Sequence, residues 1–388
     1  MSLLDYCTTE RQRQIVELHE QGLGYSKIAQ ELNLTSRWMA RDCIRLIKGK
    51  AAMQGYSPEH DMTRPVPEGY HVQGVSTYYD EDGRPRGQWV KSQADKEHIL
   101  QTALSAFREG LAEELVGLHT PVKAPLFDLN SNRIACHLIG DHHLNMFAWP
   151  PETGGDSWNL EKAQETLIKA VDKLVAATRD ADVAALINLG DFLHANTSAK
   201  TTGKGTPVDV DGSLGQAIRA AGNLFKVLVH RLLENHNEVW LINVRGNHDP
   251  DAALWLNEMM NLYYENEPRV KVFDNFNKWM SFTWGKNLVV MHHGDKMPPD
   301  KLYQAVTRDY AEEWGKTKHR FCWHGHIHHK QTVKELGGLT VESWGVLCPQ
   351  DSYHSAHGYG ASRSMSCVVL DKETGEHSRF RVGVDEVI

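Results

Sequence analysis

Between residues 134 and 328, five apolar runs each stop beside glycine on a polar cluster. IACHLIG leads into Asp141-His142-His143, and LINLG leads into Asp191. VWLINVRG leads into Asn247-His248-Asp249, LVVM into His292-His293-Gly294-Asp295, and RFCWHG into His326-Ile327-His328. Short apolar runs of this length read as strands. They alternate with helical patterns at about 160–180, 214–236, 251–265 and 298–314. That alternation specifies an α/β fold. From residue 331 onward, TVKEL, LTVESWGVL, SMSCVVLD and HSRFRVGV read as further strands. Open α/β sheets place their sites in the crevice at the carboxyl ends of the strands. Five strands therefore deliver polar side chains to one place.

The residue types fit metal chemistry. Of 22 histidines, 14 lie between residues 137 and 329, and histidine is the commonest metal ligand. In extended backbone, residues i and i+2 point to the same side, which pairs Asp141 with His143 and His326 with His328. Glycines at 140, 190, 246, 294 and 325 suit tight turns and close backbone approach. His137, alone on an apolar strand, is expected to be a hydrogen-bonded core histidine. The six cysteines are scattered with no CxxC pair, which argues against a disulfide framework or a thiolate zinc site and for a reducing compartment. No run of 18 apolar residues suggests a membrane span. The opening MSLLDYCTTERQRQ has neither a basic n-region nor a long apolar h-region, so no secretory signal is expected. These features predict a cytoplasmic protein.

Residues 1–50 read as a separate all-α domain. ERQRQIVELHEQG places Ile15, Val16 and Leu18 together and stops at Gly22; GYSKIAQELN is a second short helix; Thr35 or Ser36 caps a third, RWMARDCIRLIKGK. Three helices with the tight turn LNLTS resemble a helix-turn-helix. Ala29 supplies the small crossing residue, whereas Asn33 stands where glycine is frequent and Asp42 where an apolar residue is expected. The third helix carries Arg37, Arg41, Arg45, Lys48 and Lys50, a basic face on a chain of net charge −8. The first four of these are the candidate nucleic-acid contacts; a small helical bundle that binds protein is the competing interpretation. Residues 51–130 form an extension, with a hairpin predicted around DEDGRP and an amphipathic helix in ADKEHILQTALSAFREGLAEELVG. The catalytic domain is expected to span 131–388.

DHH, GDFLH, GNHD, HHG and GHIH, in that order over residues 134–350, resemble the calcineurin-like metallophosphoesterase superfamily. The resemblance implies a four-layer α/β/β/α sandwich holding two divalent metal ions. It implies that Asp191 bridges both, that Asp141, His143 and His328 complete one set, and that Asn247, His293 and His326 complete the other. His293 is chosen over His292 because it precedes glycine, and His143 over His142 by the i+2 spacing. His248 would bind the phosphate and protonate the leaving oxygen, with Asp249 orienting it. Two carboxylates, one amide and four imidazoles leave two divalent ions with net positive charge, which attracts a phosphate ester. Such mixed nitrogen and oxygen donors suit Mn above all, with Fe or Zn as alternatives. Two metals roughly 3.5–4 Å apart can polarise the phosphoryl oxygens and stabilise an in-line displacement.

GDFLHAN, with His194 where many members carry Asp, and the DHHL segment resemble the SbcD-like DNA repair nucleases. That likeness implies that His194 faces His248 and helps place the phosphodiester. The leading expectation is a DNA nuclease; a small-molecule (cyclic nucleotide) phosphodiesterase or a phosphoprotein phosphatase is the alternative. An N-terminal helix-turn-helix before such a domain resembles phage or mobile-element proteins, acting in the host cytoplasm. DNA is the expected partner. No ATPase partner is inferred, because the 40 or so residues after the last ligand-bearing region read as strands; oligomerisation stays open.

Overall fold

The structure is a computed structural model that describes residues 2–60, 62–63, 66–67, 70–82, 85–94, 122–125, 129–328, 333–357 and 362–388. The chain divides into two compact units, Met1–Ala106 and Phe107–Ile388. Among the described residues, no helix is long and apolar enough to cross a membrane.

The first unit opens with three helices, α1 (Glu10–Glu20), α2 (Tyr25–Glu31) and α3 (Arg37–Met53). The Thr9 and Ser36 side chains cap α1 and α3 by accepting from Gln12 N and Trp38 N, satisfying donors that a helix start leaves open. Asn33, after α2, sits at φ 51°. Asparagine tolerates this left-handed conformation, which explains why it stands where glycine is frequent. Ile15, Val16, Ile28, Ala40, Ile44 and Ile47 form the core. Two short strands, β1 (Tyr56–Ser57) and β2 (Met62–Thr63), pair antiparallel. The expected hairpin is formed by β3 (Tyr70–Tyr79) and β4 (Pro85–Ala94). Of the helix expected within residues 94–117, Ala94 ends β4 and the rest lies outside the described residues.

The second unit is a four-layer sandwich. One sheet uses β5 (Asn130–Ile139), β6 (Ala181–Asn188), β7 (Glu238–Asn243), β8 (Val270–Val272), β14 (Ser364–Asp371) and β15 (Gly375–Gly383), in the order β15-β14-β5-β6-β7-β8. The other uses β9 (Met280–Trp284), β10 (Asn287–Met291), β11 (His319–His324), β12 (Val333–Leu336) and β13 (Leu339–Ser343), in the order β12-β13-β11-β10-β9. β5 through β8 run parallel, as do β10, β11 and β13.

The period of two along each strand builds the layers. Ile134, Cys136 and Leu138 of β5 face Val289 and Met291 of β10 and Trp323 of β11 between the sheets. Ala135 and Ile139 face outward to α5 (Leu160–Ala177), α6 (Leu214–Leu233) and α7 (Pro250–Tyr263), numbered after the one-turn α4 (Pro150–Thr153). Leu288 and Val290 pack on the other side against Leu302 and Val306 of α8 (Pro299–Asp309). The short α9 (Ala311–Lys316) and α10 (Ser352–Ala356) follow in the loops. Both faces of each central strand are covered, which is why these segments read as unbroken apolar runs. The carboxyl ends of β5, β6, β7, β10 and β11 open at one mouth.

Candidate metal centre

Backbone geometry at this mouth departs from the extended form assumed by the i+2 rule. Among the described residues, six non-glycine residues adopt positive φ, and four of them are His143 (47°), Asp191 (53°), His326 (72°) and His328 (53°). Such conformations cost on the order of 1–3 kcal/mol each and gather at functional sites. What joins Asp141 to His143, and His326 to His328, is thus a left-handed kink and not a continuing pleat. The glycines supply the room. A Cβ on Gly246 would lie 1.9 Å from Asp191 Oδ1, and one on Gly325 would lie 2.5 Å from Asp141 Oδ2.

Among the described residues, three clusters bring potential ligand atoms within 4.8 Å of one another: Asp141 with His143 and His328, Asp191 with His293 and His326, and His143 with His194 and His248. His143 Nε2 faces His328 Nε2 at 3.2 Å. His293 Nε2 lies 3.1 Å from Asp191 Oδ2 and 3.1 Å from Asn247 Oδ1. Asp141 accepts the His326 backbone N–H at 2.8 Å. Asp191 Oδ1 accepts from His248 N at 2.7 Å, leaving its other oxygen toward His293.

His142 and His292 turn elsewhere. His142 is buried against Phe192 and Trp158, ring centroids 5.3 and 6.0 Å away, and burial lowers its pKa to about 3. His292 accepts Gly294 N through Nδ1 at 2.9 Å and packs on Trp279 at 4.4 Å. His137 is buried as expected, but neither ring nitrogen has a hydrogen-bond partner among the described residues.

The electrostatics suit a cation. Burial pushes the Asp141 carboxyl up, with Asp191 adding to the rise while His293 opposes it. Burial also raises Asp191, but His293 and the His248 N–H outweigh it and hold Asp191 below the usual carboxylate range. Burial lowers the pKa of His293, yet Asp191 and Asp141 outweigh burial and raise it to about 10. Burial holds His143 well below its ordinary value and brings His328 to about 3. Two neutral imidazoles with nitrogens facing at 3.2 Å, beside buried carboxylates, form a donor set that fits a divalent metal of the Mn, Fe or Zn type.

The remaining site residues divide into two layers. His248 Nδ1 lies 2.8 Å from the His194 carbonyl, so Nδ1 carries hydrogen and Nε2 is left for chemistry. His248 is half-buried, whereas His194 is buried. Asp249 does not orient the His248 ring. Its Oδ2 accepts from Leu193 N at 2.9 Å, so it fixes the loop that carries His194, and the His194 carbonyl takes the orienting bond. His194 Nδ1 lies 3.0 Å from His143 Nδ1, and its backbone N–H donates to Asn145 Oδ1 at 2.9 Å. Burial lowers the His194 pKa to about 3.

Asn145, Asp351 and His354 were not singled out by sequence. Asp351 Oδ2 stands 4.0 Å from His194 Nε2, and its Oδ1 holds His354 Nδ1 at 2.6 Å. His354 stacks flat on His328, 4.5 Å between centroids and 14° between planes. On α3, the Arg37 and Arg41 guanidiniums lie 4.8 and 4.2 Å from the Trp38 ring centroid. Arg41 also pairs with Asp42 at 2.8 Å, and Lys48 pairs with Glu59 at 3.0 Å.

No curated protein matches the chain. Solved structures similar to it include a predicted phosphoesterase from Streptococcus pneumoniae, 11% identical, with 66% of this chain and 99% of that one covered at a TM-score of 0.27. A dimetal phosphatase from Danio rerio is 9% identical, with 65% and 99% covered at 0.34. A 5′-nucleotidase from Candida albicans is 11% identical, with 68% and 54% covered at 0.32. Residues 136–344, more than half of the 388, match the calcineurin-like phosphoesterases. The chain belongs to that family and is a metal-dependent phosphoesterase.

Proposed function

We propose that the chain is a two-metal phosphodiesterase whose substrate is DNA. The observation that carries DNA over a small ester is the exposed Arg37–Trp38–Arg41 face of α3, where Trp38 is 49% exposed between two guanidiniums. Guanidiniums neutralise phosphates, and an exposed indole stacks on bases without regard to sequence. This reading keeps the three helices as a helix-turn-helix, with Arg45 and Lys48 continuing the basic face.

In the catalytic unit, Asp141, His143 and His328 would hold one metal and Asn247, His293 and His326 the other, with Asp191 shared. When bound, two divalent ions supply Lewis acidity and a nucleophile at neutral pH; Mn is the leading choice. His248 binds the scissile phosphate through Nε2 and gives that atom's proton to the leaving oxygen as the phosphorus–oxygen bond breaks. The His194 carbonyl keeps the other proton on Nδ1 throughout. Asp191 pins the His248 backbone at 2.7 Å, so nucleophile side and leaving-group side are registered through one carboxylate.

The test is cleavage of single- and double-stranded DNA by the purified chain with Mn²⁺, beside hydrolysis of bis(p-nitrophenyl) phosphate. DNA cleavage is expected. Brisk hydrolysis of the small diester with DNA left intact would sink the nuclease reading and favour a small-molecule enzyme.

A further inference from the structure

Asp351 stands behind two of the proposed ligands at once. Its Oδ1 lies 2.6 Å from His354 Nδ1, and the His354 ring stacks flat on His328, 4.5 Å between centroids and 14° between planes. Its Oδ2 lies 4.0 Å from His194 Nε2, and His194 Nδ1 faces His143 Nδ1 at 3.0 Å. His143 and His328 then meet each other, Nε2 to Nε2, at 3.2 Å. One carboxylate and four imidazoles thus form a closed ring that takes in both histidines of the Asp141–His143–His328 set.

The carboxylate is itself anchored. Asp351 is buried; its Oδ1 also accepts the His354 backbone N–H at 2.7 Å, and its carbonyl accepts Ser355 N at 3.0 Å. These bonds wind the one-turn α10 onto Asp351. Ser352 Oγ donates to Asp209 Oδ2 at 3.0 Å, and Ser355 Oγ donates to the Thr153 carbonyl at 2.8 Å, which ties the turn to two neighbouring segments. The other metal set is aimed differently. His293 Nδ1 lies 2.9 Å from the Leu189 carbonyl, so backbone orients that ring and Asp351 has no part in it. Partners on the far side of a ligating imidazole fix its tautomer and ring plane, and through them the metal affinity. His194 does this for His143 across Nδ1, and the stacked His354 does it for the plane of His328. Both answer to the same carboxylate.

We propose that Asp351 is a positioning residue for one metal only, holding His143 through His194 and His328 through His354. The inference rests on the two-metal reading of the centre and deepens it by making the two metals unequal. The ion of the Asp141–His143–His328 set depends on a carboxylate outside the ligands, whereas the ion of the Asn247–His293–His326 set does not. Asp351 touches neither substrate nor metal and takes no part in the bond-breaking step.

The test is Mn²⁺ titration of the full chain after metal removal, with free Mn²⁺ followed by electron paramagnetic resonance. The wild type is expected to take up two ions. Asp351→Ala should weaken one of them by roughly 10–100-fold and leave the other within about twofold. The unchanged ion reports that the variant is folded. His326→Ala identifies the affected ion, because it disables the other set and leaves one ion with Asp141, His143 and His328. Adding Asp351→Ala to that variant should weaken the remaining ion by the same roughly 10–100-fold. Asp351→Asn, which keeps an oxygen for His354 Nδ1, should lose less than Asp351→Ala. Unchanged affinity for both ions in Asp351→Ala, or equal weakening of both, overturns the proposal. So does the absence of any further loss in the His326→Ala background. Fewer than two ions in the wild type would instead sink the two-metal reading, and the proposal with it.

Discussion

His194 Nδ1 faces His143 Nδ1 at 3.0 Å, so one proton lies between two imidazoles. For His143 to offer Nε2 to a metal, its Nδ1 must carry hydrogen and donate to His194. His194 then carries its own hydrogen on Nε2, toward Asp351 Oδ2 at 4.0 Å. Groups that orient a metal-ligating histidine typically contribute 10–100-fold to metal affinity. His194→Ser is therefore expected to weaken the metal held by His143 by that factor, read by metal titration of the purified variant. Wild-type metal affinity combined with lost cleavage would show that His194 acts on substrate and not through His143.

Gly246 is expected to be irreplaceable for a reason local to Asp191. An added Cβ would meet Asp191 Oδ1 at 1.9 Å and Asp191 N at 2.3 Å, and Asp191 already sits at φ 53°. Gly246→Ala should lower hydrolysis by at least about 100-fold through displaced metal binding, since a shared carboxylate serves both ions. Gly222→Ala is the control: its Cβ meets only the flexible end of Met259, so activity should stay near wild type. Full activity in Gly246→Ala would remove Asp191 placement from the account.

Two buried histidines away from the ligands tie stability to pH. The His137 and His236 rings meet edge to face, 6.3 Å between centroids. Burial first, then His236, lowers the His137 pKa to about 3; burial also lowers that of His236. The folded chain keeps both neutral while the unfolded chain protonates them near pH 6.5. Stability is thus fully present above about pH 6.5 and falls as pH drops toward 3. At pH 5, His137 alone should cost about 2 kcal/mol. His137→Leu gives up no hydrogen bond and should lose that much less stability between pH 7.5 and 5, measured by urea denaturation. An identical loss in both proteins would mean that His137 titrates normally in the fold.

The basic face of α3 gives a binding prediction. Replacing Arg37 and Arg41 together by alanine should weaken DNA binding about tenfold, evenly across sequences. It should also flatten the salt dependence by about two units of slope. Hydrolysis of bis(p-nitrophenyl) phosphate should not change. Unaltered DNA affinity would leave the first unit with an assembly role, in line with the Arg41–Asp42 ion pair taking up part of its charge.

The sandwich and the strand ends that bring Asp and His side chains together were legible because each signal is local. An apolar run, a glycine and a polar cluster sit within about ten residues, five times over. Contacts between distant segments left no such trace. Asp351 and His354 reach the site from a loop that follows β13, and QDSYHS has no periodicity to mark it. Asp249 looked like the partner of its neighbour His248, but its carboxylate accepts from Leu193 N instead. His137 was expected to be hydrogen-bonded, yet its ring meets His236 edge to face and neither ring nitrogen has a partner among the described residues.

Anomalous diffraction from crystals grown with Mn²⁺ measures the central claim most directly. Two peaks per chain are predicted, one among Asp141, His143 and His328, the other among Asn247, His293 and His326, with Asp191 between them. A single peak, or a peak enclosed by His143, His194 and His248, would contradict the assignment of the centre.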